Sequence, residues 1–356
     1  MFIGICGSIC AGKSTVAQYL VDHHGFTHLY TSNDVIPQEP ATNGDTFSLR
    51  LAQRPPKPEH VFPNPTDLLD FVTRRWRERW VVDNIPNEEV LDMYSRRPFF
   101  LLVSVDAPLT TRWRRFCSLT NYHPSSSSEN DDLATFATTS DTLLYGTSSD
   151  PKSLTTAQLP LMSAASVRLL NTSTSLAHLY ATLGTLDLLN TDRLRPSWDS
   201  YFMSLASLAA QRSNCMKRRV GCVVVRDKRV VSTGYNGTPR GLQNCGEGGC
   251  GRCNEGQGSG HGLATCLCIH AEENALLEAG RERLRDGAAV LYCDTCPCLT
   301  CSIKIVQVGI SEVVYSQGYS MDGQTAAVFR EAGVKLRQFV PPAKGLIHLE
   351  KMQLPE

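Results

Sequence analysis

Apolar and polar positions alternate in a strand–helix order along the first half of the chain. The apolar run "FIGICG" predicts a buried strand, and "KSTVAQYLVDHH" after it predicts a helix that ends at Gly25. The later runs that predict strands are "VVDNI", "FFLLVSVDA" and "VRLLN", and those that predict helices are "NPTDLLDFVTRRWRERW", "NEEVLDMYSRR", "LTTRWRRFCSL" and "TSLAHLYATLGTL". This order predicts an α/β domain with a parallel sheet and helices on both faces.

The same pattern marks the limits of this domain. Residues 121–163 are rich in Ser, Thr and Asp and have little periodic apolar pattern, so we predict a disordered low-complexity loop. Pro196 ends the first pattern, and "SWDSYFMSLASLAAQR" opens a helix after it. We therefore predict a first domain at 1–194, a second at 195–342 and a tail at 343–356.

The second half has a different order, with a hairpin before the helices. "RVGCVVVRDKRVVSTGYNGTPRG" predicts two strands and a polar loop, and "AVLYC", "EVVYS" and "VKLRQFV" predict three more strands. Helical patterns in "HAEENALLEAG", "PCLTCSIKIVQVG" and "DGQTAAVFREAG" separate them. We predict a five-stranded mixed sheet with the first two of these helices packed on one face.

Composition and charge narrow the choice of partners. The chain has 356 residues, 42% of them hydrophobic, which is enough for two domains with separate cores. Its 35 basic and 35 acidic residues cancel, so we expect small nucleotides as ligands, and neither a nucleic-acid polymer nor a membrane surface. No apolar run approaches the length of a membrane span, and the start "MFIGICGSIC" has neither a basic flank nor a cleavage site. We expect an intracellular protein, cytoplasmic or nuclear.

The loop after the first strand has a phosphate-binding pattern. Gly7, Gly12, Lys13 and Ser14 fit G-x-x-x-x-G-K-[ST]. In this arrangement backbone N–H groups surround phosphates, the lysine offsets their charge and the serine meets Mg²⁺. We predict that a nucleotide binds with Mg²⁺ in this loop or at an effector site.

With this loop, residues 1–190 resemble the nucleoside-monophosphate-kinase branch of the P-loop fold, and most of all the dephospho-coenzyme A kinases. The resemblance implies that Asp34 is an acceptor-side acid and Asp83 a carboxylate near Mg²⁺, although a solvated surface role is an equally good interpretation. The arginines that it implies as phosphate contacts are Arg112, Arg114 or Arg115. The segment at 121–163, rich in Ser, Thr and Asp, lies where kinases of this kind normally have a lid that carries arginines. We therefore expect nucleotide binding without phosphoryl transfer. A bifunctional enzyme with an active kinase is the alternative.

Cysteines are concentrated in the second domain. It contains eleven of the fourteen, which in an intracellular protein indicates metal binding. In "CDTCPCLTC" two CxxC pairs follow each other, Cys293/Cys296 and Cys298/Cys301. The proline between the pairs suits a helix start, which puts Cys298 and Cys301 on one helical face. We predict that the second pair binds metal, that Cys293 is a buried strand residue and that Cys296 lines the site.

Upstream of these pairs, His270 and Glu272 complete a zinc site with catalytic features. His-x-Glu followed by Pro-Cys-x-x-Cys is the signature of zinc deaminases of nucleobases. We predict that His270, Cys298 and Cys301 bind a catalytic zinc, which acidifies a water. Glu272 takes the proton of this water and returns protons to N3 of a cytosine and to the leaving ammonia.

Three stretches, "GYNGTPRG", "HAEENALLEAG" and "LYCDTCPCLTCSIKI", give residues Trp198 to Phe339 a very close resemblance to the deoxycytidylate (dCMP) deaminases. The resemblance implies a cytidine-deaminase-like α/β/α domain, conversion of dCMP to dUMP for thymidylate synthesis, and contact of Asn236 with the substrate. It also implies a homohexamer that dCTP activates and dTTP inhibits. The residues alone support only a zinc deaminase of a cytosine-like or adenine-like ring. Arg240 and Lys217 are candidates for a 5′-phosphate site, with solvation as the alternative.

Some members of this family hold a second, structural zinc. By position, the resemblance implies that its ligands are Cys215, Cys245, His261 and Cys268. A competing CxxC pair is formed by Cys250 and Cys253, and Cys266 is a further potential ligand. A tetrahedral site takes four ligands, so the sequence leaves the choice open. The Gly-rich loop at 246–262 has too little apolar content to order itself, which favours a metal at this position.

Two other classes of protein compete with a small-nucleotide deaminase. One is a zinc-stabilised binding module for RNA or protein. A structural zinc in such a module has no use for a carboxyl group such as Glu272 beside a ligand, and it needs a fourth protein ligand, which this sequence does not offer beside His270, Cys298 and Cys301. Both features disfavour this class. A deaminase of polynucleotides is disfavoured by the neutral charge balance and by the lack of a basic stripe with aromatic residues.

Overall fold

The computed structural model describes residues 1–32, 60–120, 122, 129–146, 156–258, 261–284, 288–318, 322–342 and 345–349. The chain forms two compact units, one made of Met1–Arg195 with Ala343–Glu356 and the other of Pro196–Pro342. The boundary after Arg195 lies one residue beyond the predicted one.

The first unit is an α/β structure. Its strands up to residue 170 are β1 (Phe2–Gly7), β2 (Thr27–His28), β3 (Tyr30–Thr31), β4 (Val61–Phe62), β5 (Trp80–Val82), β6 (Phe100–Asp106) and β7 (Val167–Leu170). Its helices are Lys13–His24, Pro65–Arg74, Glu88–Ser95, Leu109–Thr120, Glu129–Tyr145, Gln158–Ala164 and Leu176–Leu186, followed by the 3₁₀ turn Thr191–Arg193. Asn64, Asn87 and Ser175 each cap a helix by accepting a hydrogen bond from a backbone N–H of its first turn.

The predicted parallel sheet is confirmed. It has β1 at its centre in the order β7-β6-β1-β5-β2, and every pair in it is parallel. Ile3 and Ile5 of β1 face the core shared with helices Lys13–His24 and Leu176–Leu186, whereas Phe2 and Cys6 face the core on the other side. This alternation buries both faces, so β1 is a continuous apolar run.

Two expectations for this unit were wrong. The segment 121–163 is not a structureless loop, because it contains the helix Glu129–Tyr145 and most of Gln158–Ala164. Leu133 and Phe136 of the longer helix pack against Trp113 and Phe116, so a few apolar residues anchor an otherwise polar segment. The residues that follow the second unit are not only a tail, because β13 (Gly345–His348) pairs in parallel with β7 and extends the first sheet. Ile347 and Leu349 are buried in its core.

The second unit contains the predicted five-stranded mixed sheet, in the order β12-β11-β10-β8-β9. Its strands are β8 (Gly221–Arg226), β9 (Arg229–Tyr235), β10 (Ala289–Thr295), β11 (Glu312–Gln317) and β12 (Lys335–Gln338). Its helices are Trp198–Ala210, Gly251–Asn254, Ala271–Ala279, Leu299–Val308 and Asp322–Glu331, with 3₁₀ turns at Cys245–Glu247, Leu263–Thr265 and Arg281–Leu284. The strands β10, β11 and β12 are parallel to one another, β8 pairs antiparallel with β10, and β9 pairs antiparallel with β8 in the predicted hairpin.

Helices cover both faces of this second sheet. Trp198–Ala210 packs on one face through Phe202, Met203 and Ala206. Ala271–Ala279 and Leu299–Val308 pack on the other face, as predicted. A Cβ at Gly234 of β9 would lie 2.2 Å from Ala271 O, so glycine lets this strand and its helix approach closely. None of the helices in the described part of the chain has the length and apolar character needed to cross a bilayer.

Candidate active site

Two helix starts bring the predicted zinc ligands together. His270 immediately precedes the helix Ala271–Ala279, and Cys298 immediately precedes Leu299–Val308. Cys301 lies in the first turn of the second helix. Because both helices pack on one face of the sheet through a shared apolar cluster, the residues at their starts lie side by side.

The three ligand atoms have the spacing of a zinc site. His270 Nδ1 lies 3.4 Å from Cys298 Sγ and 3.3 Å from Cys301 Sγ. A tetrahedral zinc, with bonds of about 2.0–2.1 Å to nitrogen and about 2.3 Å to sulfur, separates such atoms by roughly 3.5 Å. The residues therefore fit zinc, and three protein ligands leave one coordination position for water, as in catalytic sites.

Burial differs sharply across this site. Glu272, on the helix that His270 begins, is only 4% exposed, and Cys301 is buried. His270 is exposed and Cys298 is half-buried. The ligands are thus open to solvent on the histidine side, while the carboxyl group is enclosed.

The environment sets the protonation of these groups. Burial raises the pKa of the Glu272 carboxyl to about 7. The hydrogen bond with Cys301, and after it the one with His270, lowers the pKa of the Cys298 thiol to about 3. A carboxyl group that titrates near neutrality can both accept and donate a proton, and a thiolate is the form of cysteine that binds zinc.

The first CxxC pair of "CDTCPCLTC" is separate from the zinc ligands. Cys293 is fully buried in β10, opposite Cys222 of β8, which confirms it as a strand residue. Cys296 is buried, and its backbone N–H donates to Gln317 O. Among the described residues, neither belongs to a group with metal-ligand spacing.

The predicted substrate contact Asn236 is nearly buried and holds the loop before β8. Its Oδ1 accepts hydrogen bonds from Val220 N at 2.8 Å and Ser213 Oγ at 2.7 Å, and its Nδ2 donates to Arg218 O at 2.7 Å. The structure therefore gives this side chain a clear role in shaping the loop, and its contact with substrate stays a prediction.

The two candidates for a phosphate site line different surface cavities. Arg240 lines a cavity of about 760 Å³ together with Ile269, which directly precedes His270. The Arg240 side chain is almost fully exposed, and its Nη2 lies 3.7 Å from Glu278 Oε2. Lys217 lines a second cavity of about 640 Å³.

A second group of cysteines comes from Cys215, which precedes β8, and from residues between β9 and the helix that carries Glu272. Its members form two overlapping tetrads, each with all four sulfurs within 4.8 Å of one another. The first tetrad is Cys215, Cys245, Cys253 and Cys268, and the second is Cys250, Cys253, Cys266 and Cys268.

The structure brings together three of the four residues implied as ligands of a structural zinc. Cys215, Cys245 and Cys268 lie together as expected, but Cys253 takes the place of His261. His261 is exposed, and its backbone oxygen accepts a hydrogen bond from Arg252 Nε. The signal in the sequence that points to Cys253 is the C-x-x-C at 250–253 together with the C-x-C at 266–268.

In the loop from Gly7 to Ser14 of the first unit, the glycines adopt backbone conformations with positive φ. Gly12 has φ 106°, and Gly7, at φ 142°, lies so close to β6 that a Cβ would collide with Val105 O. Lys13 Nζ donates to Gly7 O at 3.1 Å and to Ser8 O at 3.0 Å, which holds the side chain over the loop.

A carboxylate lies beside the end of this loop. Ser14 Oγ donates to Asp83 Oδ2 at 2.6 Å, and His28 Nε2 lies 3.0 Å from Asp83 Oδ1. Burial opposes ionisation of Asp83, but hydrogen bonds from His28 and then Ser14, with the charges of His28 and Lys13, lower its pKa to about 2. The contact of Asp83 with Ser14 follows the implied arrangement, and sequence reasoning missed His28.

The three candidate arginines lie in different surroundings. Arg112 is buried and donates to Ala107 O and Ser140 Oγ, which gives it a structural role, and its implied phosphate contact stays a prediction. Arg115 donates to the loop oxygen Ala11 O at 3.0 Å and to Ser173 O, and so braces the loop. Arg114 is exposed. Asp34 lies outside the described residues.

Comparisons with known proteins are consistent with the second unit's zinc geometry. The family model of the cytidine and deoxycytidylate deaminase zinc-binding region matches residues 196–317. A deoxycytidylate deaminase of Schizosaccharomyces pombe is 47% identical over 345 residues, which cover 97% of this chain and 99% of the relative. One of Saccharomyces cerevisiae is 42% identical and covers 95% of this chain and 96% of the relative.

Among solved structures, the dCMP deaminase of cyanophage S-TIM5 in complex with dCMP and dUMP is 28% identical. The aligned region covers 41% of this chain and 98% of the phage protein, with a TM-score of 0.34. The similarity to the two yeast proteins thus extends over both units of the chain, whereas the family model lies within the second.

Proposed function

The chain belongs to the deoxycytidylate deaminase family, and on that premise we propose that it hydrolyses dCMP to dUMP and ammonia. The observation that carries the proposal is the juxtaposition of His270, Cys298 and Cys301 with the buried carboxyl group of Glu272. A purely structural zinc site would have a fourth protein ligand, and the described residues place three here.

The chemistry divides between the metal and one side chain. Zinc bound by these residues supplies Lewis acidity, which lowers the pKa of water and makes it a nucleophile at neutral pH. Glu272 accepts the proton of the attacking water as hydroxide adds to C4 of the ring. It passes this proton to N3, then takes the remaining proton of the added hydroxyl as the C4=O bond forms, and passes that second proton to the amino group, which leaves as ammonia. A pKa near 7 lets one carboxyl group act first as base and then as acid.

Recognition of a monophosphate requires cationic groups around the site. Arg240 lines the cavity that includes Ile269, next to the zinc ligand His270, and so offers a charge close to the reacting centre. Lys217 lies in the loop that Asn236 holds in place. We propose these residues as candidates for 5′-phosphate and nucleotide contacts. A zinc deaminase of another cytosine or adenine substrate is the alternative.

Ammonia release from dCMP, dCTP, deoxycytidine and a short cytosine-containing oligonucleotide tests the proposed substrate. We expect a kcat/KM for dCMP at least about tenfold above the others, which corresponds to about 1.4 kcal/mol in transition-state binding. Assays with dCTP and Mg²⁺, and with dTTP, test the activation and inhibition that the family resemblance implies. Absence of activity on dCMP in the presence of dCTP and Mg²⁺ would sink the proposal and leave the alternative substrates.

For the first unit we propose a second function, the binding of a nucleotide through its phosphates with Mg²⁺. The support is the loop geometry of Gly7 and Gly12, the position of Lys13 over the loop, and the Ser14–Asp83 contact. Hydroxyl and carboxylate oxygens are ligands that Mg²⁺ prefers. The ionised Asp83 would hold Mg²⁺ directly or through water.

Replacing Lys13 by alanine is expected to weaken ATP binding by roughly tenfold or more, because the ammonium group offsets phosphate charge. Titration calorimetry with ATP, with and without Mg²⁺, measures this effect, and thermal unfolding checks that the variant is folded. Glu272→Gln, in the other unit, is the control and should bind ATP like the wild type. Equal binding by Lys13→Ala and wild type would refute the assignment. ADP formation that depends on an added acceptor would favour the bifunctional alternative.

A further inference from the structure

We propose that the six cysteines of the two tetrads bind two zinc ions in one cluster, in which Cys253 and Cys268 bridge the ions. One ion takes Cys215 and Cys245 as its other ligands. The second takes Cys250 and Cys266. This site shares no residue with the group His270, Cys298 and Cys301 and does not depend on the proposed reaction.

Three of the distances between sulfurs match the edges of two tetrahedra that share one edge, and the other pairs within each tetrad lie within 4.8 Å. Zinc bonded to four sulfurs at about 2.3 Å separates them by roughly 3.8 Å. The shared edge, Cys253 Sγ to Cys268 Sγ, measures 3.9 Å. Cys215 Sγ lies 3.9 Å from Cys253 Sγ in the first tetrad, and Cys250 Sγ lies 4.0 Å from Cys266 Sγ in the second. These three edges therefore have the length that zinc requires in both tetrads.

One ion accounts for only part of this arrangement. A single tetrahedral ion uses four sulfurs, so either tetrad would leave two cysteines beside the metal without a role. Two tetrads with two members in common account for all six. The overlap itself therefore points to two ions and identifies which cysteines bridge them.

Hydrogen-bond donors surround the outer sulfurs, as expected for thiolates. Met216 N donates to Cys245 Sγ at 3.5 Å, and Leu267 N donates to Cys250 Sγ at 3.4 Å. Arg252 Nη1 lies 3.7 Å from Cys266 Sγ. Six thiolates and two Zn²⁺ ions leave a net charge of about −2, which these donors and the guanidinium group stabilise.

The surrounding segment needs such a cluster to hold its shape. Residues 245–258 and 261–268 include short 3₁₀ turns and the four-residue helix Gly251–Asn254, which is too short to be stable by itself. The buried apolar cluster of this segment consists of cysteines, with Cys245 and Cys250 fully buried. Metal–sulfur bonds would thus replace the apolar core that this segment lacks.

The cluster is connected to the catalytic site through short stretches of chain. Cys268 is two residues from His270, and Ile269 between them exchanges backbone hydrogen bonds with Gly237. At the other end, Cys215 N donates to Ser213 Oγ, which donates in turn to Asn236 Oδ1. The ions would therefore fix both segments and position a zinc ligand without contacting substrate.

Metal content per chain tests this inference directly. Protein purified under reducing conditions and dialysed against metal-free buffer is analysed by inductively coupled plasma mass spectrometry. The three groups predict three zinc ions per chain in the wild type and two in His270→Ala, which lacks a catalytic ligand. Two ions in the wild type, or iron in place of zinc, would overturn the binuclear cluster.

Variants of the outer cysteines locate the ions. Cys215→Ser leaves the second tetrad intact, and Cys266→Ser leaves the first tetrad intact. Each variant should therefore lose one of the two cluster ions and keep the other cluster ion and the catalytic zinc. Cys117→Ser is the matched control, since Cys117 is half-buried like these two and lies in the first unit, and it should keep all the zinc. A full zinc content in either cluster variant would contradict the assignment.

The bridging sulfurs have a signature of their own. In protein reconstituted with ¹¹³Cd, two ions joined by thiolate bridges should show scalar coupling between their ¹¹³Cd resonances. This measurement uses the wild-type chain, so it decides the question even if a serine variant does not fold. Two cluster resonances without coupling would refute the bridging roles of Cys253 and Cys268.

Discussion

Glu272→Gln is expected to lower kcat/KM for dCMP by roughly 10³-fold and to leave the zinc content unchanged. Proton transfer by a positioned carboxyl group contributes about 10²–10⁴-fold, and here one group serves both the attack of water and the departure of ammonia. The glutamine has the same shape and stays buried, but it cannot accept the proton. Steady-state deamination rates and zinc analysis of the same preparation provide the test.

The neighbouring glutamate provides a matched control. Glu273 is next in sequence on the same helix, but its carboxylate pairs with Lys304 at 2.6 Å and is more exposed. Glu273→Gln should therefore change kcat/KM by less than about threefold, in keeping with the small energies of surface ion pairs. Similar losses in the two variants, or loss of zinc from Glu272→Gln, would mean that Glu272 supports the structure and not proton transfer.

The arrangement of the three predicted zinc ligands and Glu272 could be predicted from the sequence because each part of it is local. Cys298 and Cys301 are three residues apart at a helix start, and His270 and Glu272 are two residues apart at another. Helical geometry then fixes their relative positions, and only the packing of two helices on one sheet face had to be added. The geometry of the glycine-rich loop was predictable for the same reason, since Gly7 to Ser14 is one continuous stretch from a strand to a helix.

The parts that sequence reasoning missed depend on contacts between distant segments. Whether Cys253 or His261 joins Cys215 depends on the path of a loop with few apolar residues, and spacing does not determine that path. The strand Gly345–His348 joins a sheet whose nearest strand ends at Leu170, so its short apolar run gave no sign of its partner. The helix Glu129–Tyr145 has a weak apolar pattern because only a few of its residues contact Trp113 and Phe116. In this helix, tertiary packing determines the structure despite the polar composition of the segment.

Cys298→Ser and Cys301→Ser are each expected to remove the catalytic zinc and reduce dCMP deamination to background. A serine hydroxyl stays protonated at neutral pH and is therefore a poor zinc ligand. Without the metal, none of the side chains at this site can acidify water. We expect each variant to contain one zinc fewer per chain than the wild type.

The other two cysteines of "CDTCPCLTC" are the matched controls for this prediction. Cys293 and Cys296 lie in the same stretch and are buried, yet they stand outside the metal-ligand groups of the described residues. Cys293→Ser and Cys296→Ser place a hydroxyl in a buried position, which costs about 1–3 kcal/mol of stability, but they should keep the full zinc content and most of the activity. Zinc loss in either control, or zinc retention in Cys298→Ser or Cys301→Ser, would show that the ligands are assigned to the wrong pair. Because all four changes are Cys to Ser within nine residues, the zinc content separates ligands from neighbours independently of stability.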